Sequence, residues 1–173
     1  QAIRLQGSLS KAQIARLTHL TAQTVQIIIA RLEADDLVRK LEPQRGKVGQ
    51  PSVPMSLAAD GAFFLGLKVG RRSADLVLTD FLGRICASRR RVYRYPSPNA
   101  VLEFVTEAAP ALSCSLPPER RDRIMGMGVA IPFQLWNWVS VLGAPQEEMD
   151  AWRERDLGAE LSASLGLPVY VQN

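Results

Sequence analysis

The alternation of polar and apolar residues near the start of the chain predicts two short, adjacent helices. Ser10 precedes the segment from Lys11 to Thr18, and a serine in that position can accept hydrogen bonds from the free N–H groups of a helix start. Gln13, three residues later, completes a capping box. Thr21 is placed to cap a second helix over 22–35. The pattern therefore predicts a helix–turn–helix.

One face of the second helix is apolar and is expected to pack against the first helix. The apolar residues recur at helical spacing, with the opposing surface supplied by the first helix and the turn. The stripe is Val25, Ile28, Ile29 and Leu32, and the opposing residues are Ile14, Ala15 and Leu20. His19, the only histidine, lies in the turn, where a positive φ is often required and histidine is tolerated. We interpret it as a turn residue rather than a metal ligand or a base.

The other face of the second helix carries side chains suited to reading DNA. Glutamine can pair bidentately with adenine, and Ile27 can touch a thymine methyl group in the major groove. The alternative is a solvated face, since helix–turn–helix geometry also occurs in proteins that do not bind DNA. The candidate DNA-binding residues of the two helices are Ser10, Thr21, Gln23, Thr24, Gln26, Ile27 and Arg31.

A basic hairpin follows the two helices. Residues 37–41 and 53–57 each have the composition of a short strand, and residues 44–52 between them hold two glycines, two cations and a proline. Such a tip can approach a phosphate strand or the minor groove. Arg45 and Lys47 are predicted phosphate contacts, and Gln50 is predicted to form a hydrogen bond in the groove. A flexible solvated loop is the alternative. Together the elements predict a winged helix-turn-helix DNA-binding domain over residues 1–57.

Charge supports this interpretation. The net charge is +4, and residues 1–57 account for all of it, with eight basic and four acidic side chains against thirteen of each in the remainder. This asymmetry favours a polyanion-binding head on a neutral body, although a surface selected for solubility would also explain it. The chain has no membrane-length apolar run and no signal-peptide pattern. Cys86 and Cys114 lack metal-ligand spacing. We expect a cytoplasmic protein without membrane contact.

Residues 58–173 read as an α/β unit, which makes the chain α+β overall. Strand-like and helical segments alternate in the order β-β-β-α-β-α-β. The predicted strands are 63–69, 74–79, 84–95, 124–131 and 168–171, and the predicted helices are 99–112 and 150–165. This order is typical of the first half of a ribonuclease H-like, actin-like domain with a mixed β-sheet.

The whole chain resembles the ROK family of sugar-responsive repressors and sugar kinases. The matching segments are LSKAQIARLTHLTAQTV, RGKVGQPS, FLGLKVGRRSADLVLTDFLGRI, MGVAIP and LGLPVYVQN. The resemblance implies a winged helix-turn-helix ahead of the N-terminal part of a ROK domain. It also implies a DNA-binding regulator, expected to be a repressor, that works as a homodimer or higher oligomer. Its partners would be a double-stranded DNA operator and a sugar or sugar derivative.

The alternative within the family is a sugar kinase with an added head. Kinases of the family hold ATP phosphate with a segment like Asp-x-Gly-Gly-Thr after the first strand, where this chain has Lys68-Val69-Gly70-Arg71-Arg72. A cation replaces the carboxylate that helps to position magnesium, and arginines fill the small positions. Pro132-Phe133 replaces the Pro-Gly pair that follows the fourth strand. These departures argue against an enzyme. A third class, an interaction module that binds protein, stays open.

The resemblance also bears on the two ends of the chain. Asn173 matches the family asparagine that holds a sugar hydroxyl, whereas the catalytic aspartate would come next. No cofactor is expected in this chain, and the family's zinc cluster of one His and three Cys would lie further on. The chain is therefore expected to be a fragment. Residues 1–6 look like the tail of a helix.

Two further clusters admit a structural and a functional interpretation. Arg89, Arg90, Arg91 and Arg94, interleaved with tyrosines, could stack on nucleic acid, but charge protecting an exposed edge strand is the favoured interpretation. Trp136 and Trp138 could stack on a sugar ring, and packing is the favoured role.

Overall fold

The computed structural model of the chain describes residues 1–43 and 52–172. Contacts divide the chain into two units, one formed by Gln1–Ala62 with Asp80–Gly83 and the other by Phe63–Thr79 with Arg84–Asn173. The division after Ala62 falls five residues beyond the boundary that the sequence suggested. The turn Asp80–Gly83 joins the first unit although it lies between two strands of the second.

The first unit, called the head below, combines three helices and a three-stranded sheet. The helices are α1 (Ala2–Gln6), α2 (Lys11–Thr18) and α3 (Ala22–Ala34), and the strands are β1 (Ser8–Ser10), β2 (Val38–Lys40) and β3 (Pro54–Leu57). β3 pairs antiparallel with both β1 and β2, so it is the central strand. The predicted pairing of the two hairpin strands is confirmed, whereas β1 was not foreseen.

Local hydrogen bonds fix both starts of the helix–turn–helix. The Gln13 N–H donates to Ser10 Oγ at 3.3 Å and the Ser10 N–H donates to Gln13 Oε1 at 2.8 Å, so the predicted capping box is confirmed. The Thr24 N–H donates to Thr21 Oγ1 at 3.2 Å. His19 ends α2 with φ 57° and ψ 24°, the left-handed conformation expected at the turn. The short turn is therefore held from both sides.

The core of the head lies between the helices and the sheet. Its buried residues are Ile3, Leu9, Ile14, Val25, Ile29, Val38 and Met55. The prediction that Leu20 and Ile28 are core residues is wrong, because they are 41% and 42% exposed. At 3.6 residues per turn Ile28 lies at the border of the buried stripe rather than at its centre. Both residues line a largely apolar groove of about 190 Å³ on the head.

The second unit, called the body below, is a five-stranded mixed sheet with helices. Its strands are β4 (Phe63–Val69), β5 (Ser73–Asp80), β6 (Ile85–Val92), β7 (Ile124–Ala130) and β8 (Val169–Gln172), in the sheet order β6-β5-β4-β7-β8. β5 and β6 are antiparallel, while β4, β7 and β8 run parallel to one another. The predicted mixed α/β fold is confirmed.

The helices of the body differ in part from the prediction. They are α4 (Pro98–Ser113), α5 (Val139–Leu142), α6 (Gln146–Glu154) and α7 (Leu157–Leu165), with 3-10 turns at Pro118–Arg123 and Leu135–Trp138. The single helix expected over 150–165 is wrong. Arg155 is extended, and Asp156 starts a new helix by accepting a hydrogen bond from the Ala159 N–H at 3.0 Å. Trp152, Leu157 and Leu161 are nevertheless all buried.

Arg89, Arg90 and Arg91 lie on β6, at the edge of the sheet, and Arg94 follows the strand. Arg90 pairs with Asp75 of β5 at 3.0 Å. Arg91 pairs with Glu103 and Glu107 of α4 and stacks on the Phe104 ring, 5.2 Å from its centroid. The interpretation of these arginines as part of a charged edge strand is confirmed. Across the described ranges, no helix is both long and apolar enough to cross a membrane.

Candidate nucleic-acid interface

The exposed face of α3 is the strongest candidate surface of the head. Gln23, Gln26 and Ile27 are all exposed, and Ala30 and Arg31 continue the face one turn later. Val25 and Ile29 on the opposite side are only 1% and 2% exposed, so burial of these two residues fixes the rotation of the helix. Among the described residues, the side chains of Gln23, Gln26 and Arg31 form no hydrogen bond or ion pair. The two glutamine amides therefore remain available to an external partner.

Three of the predicted DNA-binding residues form structural hydrogen bonds. Ser10 and Thr21 accept the capping bonds of α2 and α3. The hydroxyl of Thr24 lies 2.8 Å from the hydroxyl of Thr21. The structure thus places Thr24 among the groups that organise the start of α3. These three side chains orient the exposed face, and any contact with a phosphate would add to that role.

A cleft beside the start of α2 brings together two lysines that the sequence did not single out. Lys11 and Lys40 line it with Ser10 and Val53, and its volume is about 340 Å³. Lys40 also pairs with Glu33 of α3 at 3.0 Å. Two cations beside the first N–H groups of a helix favour anions. The only sequence signal for these lysines was the basic excess of the first 57 residues, which names no position.

The predicted wing residues Arg45, Lys47 and Gln50 lie outside the described residues. The strands that bound the hairpin, β2 and β3, pair in register from Val38 with Leu57 to Lys40 with Met55. The roles of Arg45, Lys47 and Gln50 at the tip of the hairpin stay predictions.

Comparisons with known proteins agree on the architecture. A solved structure described as a ROK family transcriptional regulator, homologous to the E. coli MLC protein, superposes with a TM-score of 0.62 over 95% of this chain, at 18% sequence identity. The chain has the fold of this structure. The resemblance seen in the sequence is thereby confirmed. No profile of a known protein family matches the chain.

Curated relatives point the same way. Proteins named as transcriptional regulators in Mycobacterium tuberculosis and Mycobacterium bovis are 31% identical over 174 residues, which is 99% of this chain. A protein named as a candidate xylose repressor, from a Caldicellulosiruptor strain, is 26% identical over 168 residues. The chain spans 38% of the mycobacterial proteins and 41% of the Caldicellulosiruptor protein. These relatives bear the names of regulators and repressors rather than of kinases.

In this fold, the residues of the turn after β4 form contacts within the protein. The Gly70 N–H donates to the Ser73 carbonyl at 2.8 Å, and a Cβ atom on Gly70 would lie 2.9 Å from that oxygen. Arg71 stacks on Trp138, 5.0 Å from the ring centroid, and Arg72 donates to the Arg94 carbonyl. Arg71 and Arg72 are thus engaged within the protein.

The hydroxyl of Tyr93 closes the same turn from the β6 side. It donates to the Gly70 carbonyl at 2.8 Å. Burial raises the pKa of Tyr93 to about 12, so the hydroxyl keeps its proton at neutral pH and remains a donor. The hydrogen bond from Tyr93 to Gly70 thus stabilises the conformation of this turn.

A separate cavity of about 300 Å³ lies beyond the carboxyl end of β7. Gln134, Trp136 and Asp156 line it together with Arg155, which pairs with Glu160. Trp136 and Trp138 are half-buried and pack against the core of the body, in agreement with their favoured structural role. Trp136 still presents part of its surface to the cavity. Phe133, where the family kinases carry glycine, is 67% exposed.

The remaining site predictions concern the effector and metals. Asn173, the predicted sugar contact, lies outside the described residues. In the part of the chain that the structure describes, no group of three His, Cys, Asp or Glu side chains is placed to hold a metal ion. Both cysteines are exposed and unpaired with each other.

Proposed function

We propose that the chain is the DNA-binding head and part of the sensing body of a transcriptional regulator, expected to be a repressor. The observation that carries the proposal is the row of unbonded amide side chains on the exposed face of a capped, well-packed second helix. Such a helix can enter the major groove, because its buried face and both of its neighbouring turns are already fixed. The names of the relatives and the regulator fold support the same function.

The electrostatics of the head support the proposal. DNA affinity depends on cations that replace counterions along the phosphate backbone. Lys11 and Lys40 line one cleft, Arg31 is exposed on α3, and Arg45 and Lys47 belong to the predicted wing. The remaining candidate contacts keep the roles proposed from the sequence: Gln23 and Gln26 toward bases, Gln50 in the groove.

A gel-shift assay with duplexes selected from a random pool tests this proposal. At matched salt, Gln23→Ala and Lys47→Ala should each weaken binding, Gln23→Ala by about tenfold or more, and the wild-type affinity should fall steeply as salt rises. Gln146→Ala on α6 of the body is a matched control that removes an exposed helical glutamine, and it should leave affinity unchanged. Unchanged affinity in both head variants would contradict the proposal, as would binding that is independent of salt, which would favour a protein-binding module.

We further propose that the body responds to a sugar or a sugar derivative. The cavity beside Trp136 offers an aromatic surface next to polar groups, a combination that suits a sugar ring. One relative is named as a xylose repressor candidate, which supports a sugar effector of this general kind. Trp136→Ala should abolish any sugar-induced change in DNA affinity, whereas Trp138→Phe should preserve it. A panel of sugars without effect on either affinity or thermal stability would contradict the sensing role.

The kinase alternative is disfavoured by the turn after β4. Lys68 stands where a carboxylate would position magnesium, and Arg71 and Arg72 are held on Trp138 and on the Arg94 carbonyl. We therefore propose a regulator without catalytic residues. We also propose a cytoplasmic homodimer or higher oligomer, because two heads related by two-fold symmetry would read a pseudo-palindromic operator.

A further inference from the structure

The exposed face of α3 is unusual in its composition as well as in its accessibility. At 3.6 residues per turn, Gln23, Gln26, Ile27 and Ala30 fall within about 100° of arc around the helix. They extend for about 10 Å along its axis, which corresponds to about three base pairs. The face therefore presents two amides and two apolar side chains to a short stretch of duplex.

The hydroxyl of Thr24 is bonded to Thr21 and, by its position on the helix, lies beside this face rather than on it. It lies 2.8 Å from the Thr21 hydroxyl, and its backbone N–H is also bonded to Thr21. A free threonine hydroxyl can form hydrogen bonds with several bases. Because the Thr24 hydroxyl is bonded to Thr21, it adds less to the range of bases that α3 can accept. The remaining polar groups of the face are the amides of Gln23 and Gln26, which match the donor and acceptor pair of adenine.

No cation lies in the first two turns of α3, from Ala22 to Ala30. Guanine is read most often by arginine or lysine. Arg31 follows one turn after Ile27, in the C-terminal half of the helix, whereas a recognition helix contacts base edges with its N-terminal residues. Arg31 is thus better placed for a phosphate than for a guanine.

Ile27 gives the face its apolar centre. It is 64% exposed, although Val25 and Ile29 on the same helix are almost completely buried. In the major groove, the thymine C5-methyl group is the apolar feature that such a side chain can cover. Contact with that methyl group would remove apolar surface of both partners from water.

We propose that the exposed face of α3 reads an A·T-rich half-site, in which Ile27 contacts a thymine methyl group and Gln23 and Gln26 pair with adenines. Ile27 is then a specificity-determining residue. This inference rests on the proposed DNA-binding function, and it adds the class of base pair that the head selects. Under this inference, the phosphate contacts are made by cations that lie outside the exposed face of α3.

The test begins with a pool of duplexes whose central 20 or so base pairs are random. The wild-type chain should enrich sequences that share about three consecutive A·T pairs. A selected duplex is then made in two forms, one with thymine and one with deoxyuridine, which lacks only the methyl group. Wild-type affinity should be lower for the deoxyuridine duplex by about three- to tenfold, the effect expected for one methyl contact.

Two variants of Ile27 connect this difference with the side chain. Ile27→Ala should bind the thymine and deoxyuridine duplexes equally, because the partner of the methyl group is gone. Ile27→Val, which keeps a branched apolar side chain, should retain most of the difference. Because Ile27 is exposed, both variants should keep the wild-type circular dichroism spectrum, which verifies that the head is folded.

The possible failures are distinguishable. If duplexes bind with strong salt dependence but the enriched half-sites are G·C pairs, or if no sequence is enriched, the inference on base reading is overturned and DNA binding stands. The same holds if Ile27→Ala retains the full thymine preference. If no duplex binds at any salt concentration, the proposed function itself fails.

Discussion

The face of α3 and the arginine segment of β6 differ most in what their side chains already contact. β6 carries three consecutive arginines, yet Arg90 is paired with Asp75 and Arg91 is paired with two glutamates of α4. α3 has one cation on its exposed face, and the amides beside it are unbonded within the described residues. A partner would have to break existing ion pairs on β6, whereas the exposed face of α3 has none among the described residues. Availability of side chains, rather than local charge density, thus distinguishes the candidate interface.

The largest expected effect separates the two faces of α3. Ile29→Ala should destabilise the head by about 2–5 kcal/mol, because it removes a fully buried side chain from the core. Ile27→Ala should change stability by no more than about 0.5 kcal/mol, since the side chain is exposed. Urea unfolding followed by helical circular dichroism measures both. The three tryptophans all lie in the body, so their fluorescence should be insensitive to either change. Equal losses of stability in the two variants would show that the Ile27 side chain is packed against the protein, contrary to its exposed position.

The next prediction tests the comparison directly through DNA affinity. Arg89→Ala combined with Arg90→Ala removes two charges from β6 and should change the affinity for a selected duplex by less than about twofold, the residual effect of long-range charge. Gln26→Ala removes no charge and should cost about 1–3 kcal/mol of binding free energy. Fluorescence anisotropy at two salt concentrations measures both. A larger loss of DNA affinity in the double arginine variant than in Gln26→Ala would mean that β6, rather than α3, is the interface.

A smaller effect is expected from the cap of α3. Thr21→Ala removes the acceptor for the Thr24 N–H and should lower the stability of the head by about 1 kcal/mol. Thr21→Ser keeps an acceptor oxygen and serves as the matched control. Thermal unfolding followed by circular dichroism compares the three proteins. If the alanine and serine variants melt together, the hydroxyl does not cap the helix.

The smallest effect concerns Tyr93 at high pH. Its pKa is raised from 10.0 to about 12 by burial, so the folded state favours the protonated hydroxyl more than the unfolded state does. This contribution is complete below pH 10 and is lost as the pH rises toward 12. Tyr93→Phe should therefore show a shallower loss of body stability between pH 10 and 12, monitored by tryptophan fluorescence. Parallel pH profiles of the two proteins would contradict the assignment.

The sequence predicted elements whose signal is local. The capping box of Ser10 and Gln13, the turn at His19 and the strand Phe63–Val69 all follow from residues within a few positions of one another. Other features depended on contacts between distant segments. β1 is three residues long and forms because β3 offers a second free edge, which no periodicity could reveal. The exposure of Leu20 and Ile28 is set by the placement of neighbouring elements.

The candidate interface was predictable only in part, for the same reason. Helical spacing assigned Gln23, Gln26 and Ile27 to one face, because a helix fixes the relation between neighbouring turns. The cleft of Lys11 and Lys40 joins residues 29 positions apart, and the register of β2 brings them together. The bonding of Thr24 to Thr21 could also not be inferred, since a threonine in the first turn can point either toward the cap or outward.

The separation of bonded and unbonded side chains on α3 has an evolutionary consequence. The residues that fold the helix, Thr21, Val25 and Ile29, are different from the residues that face outward. Under the proposed function, substitutions at Gln23, Gln26 and Ile27 alter the preferred operator while the head keeps its stability. A lineage with this head would then acquire new target genes through single exchanges that leave folding intact. The same property makes these three positions the natural ones to randomise when a regulator of new specificity is to be selected.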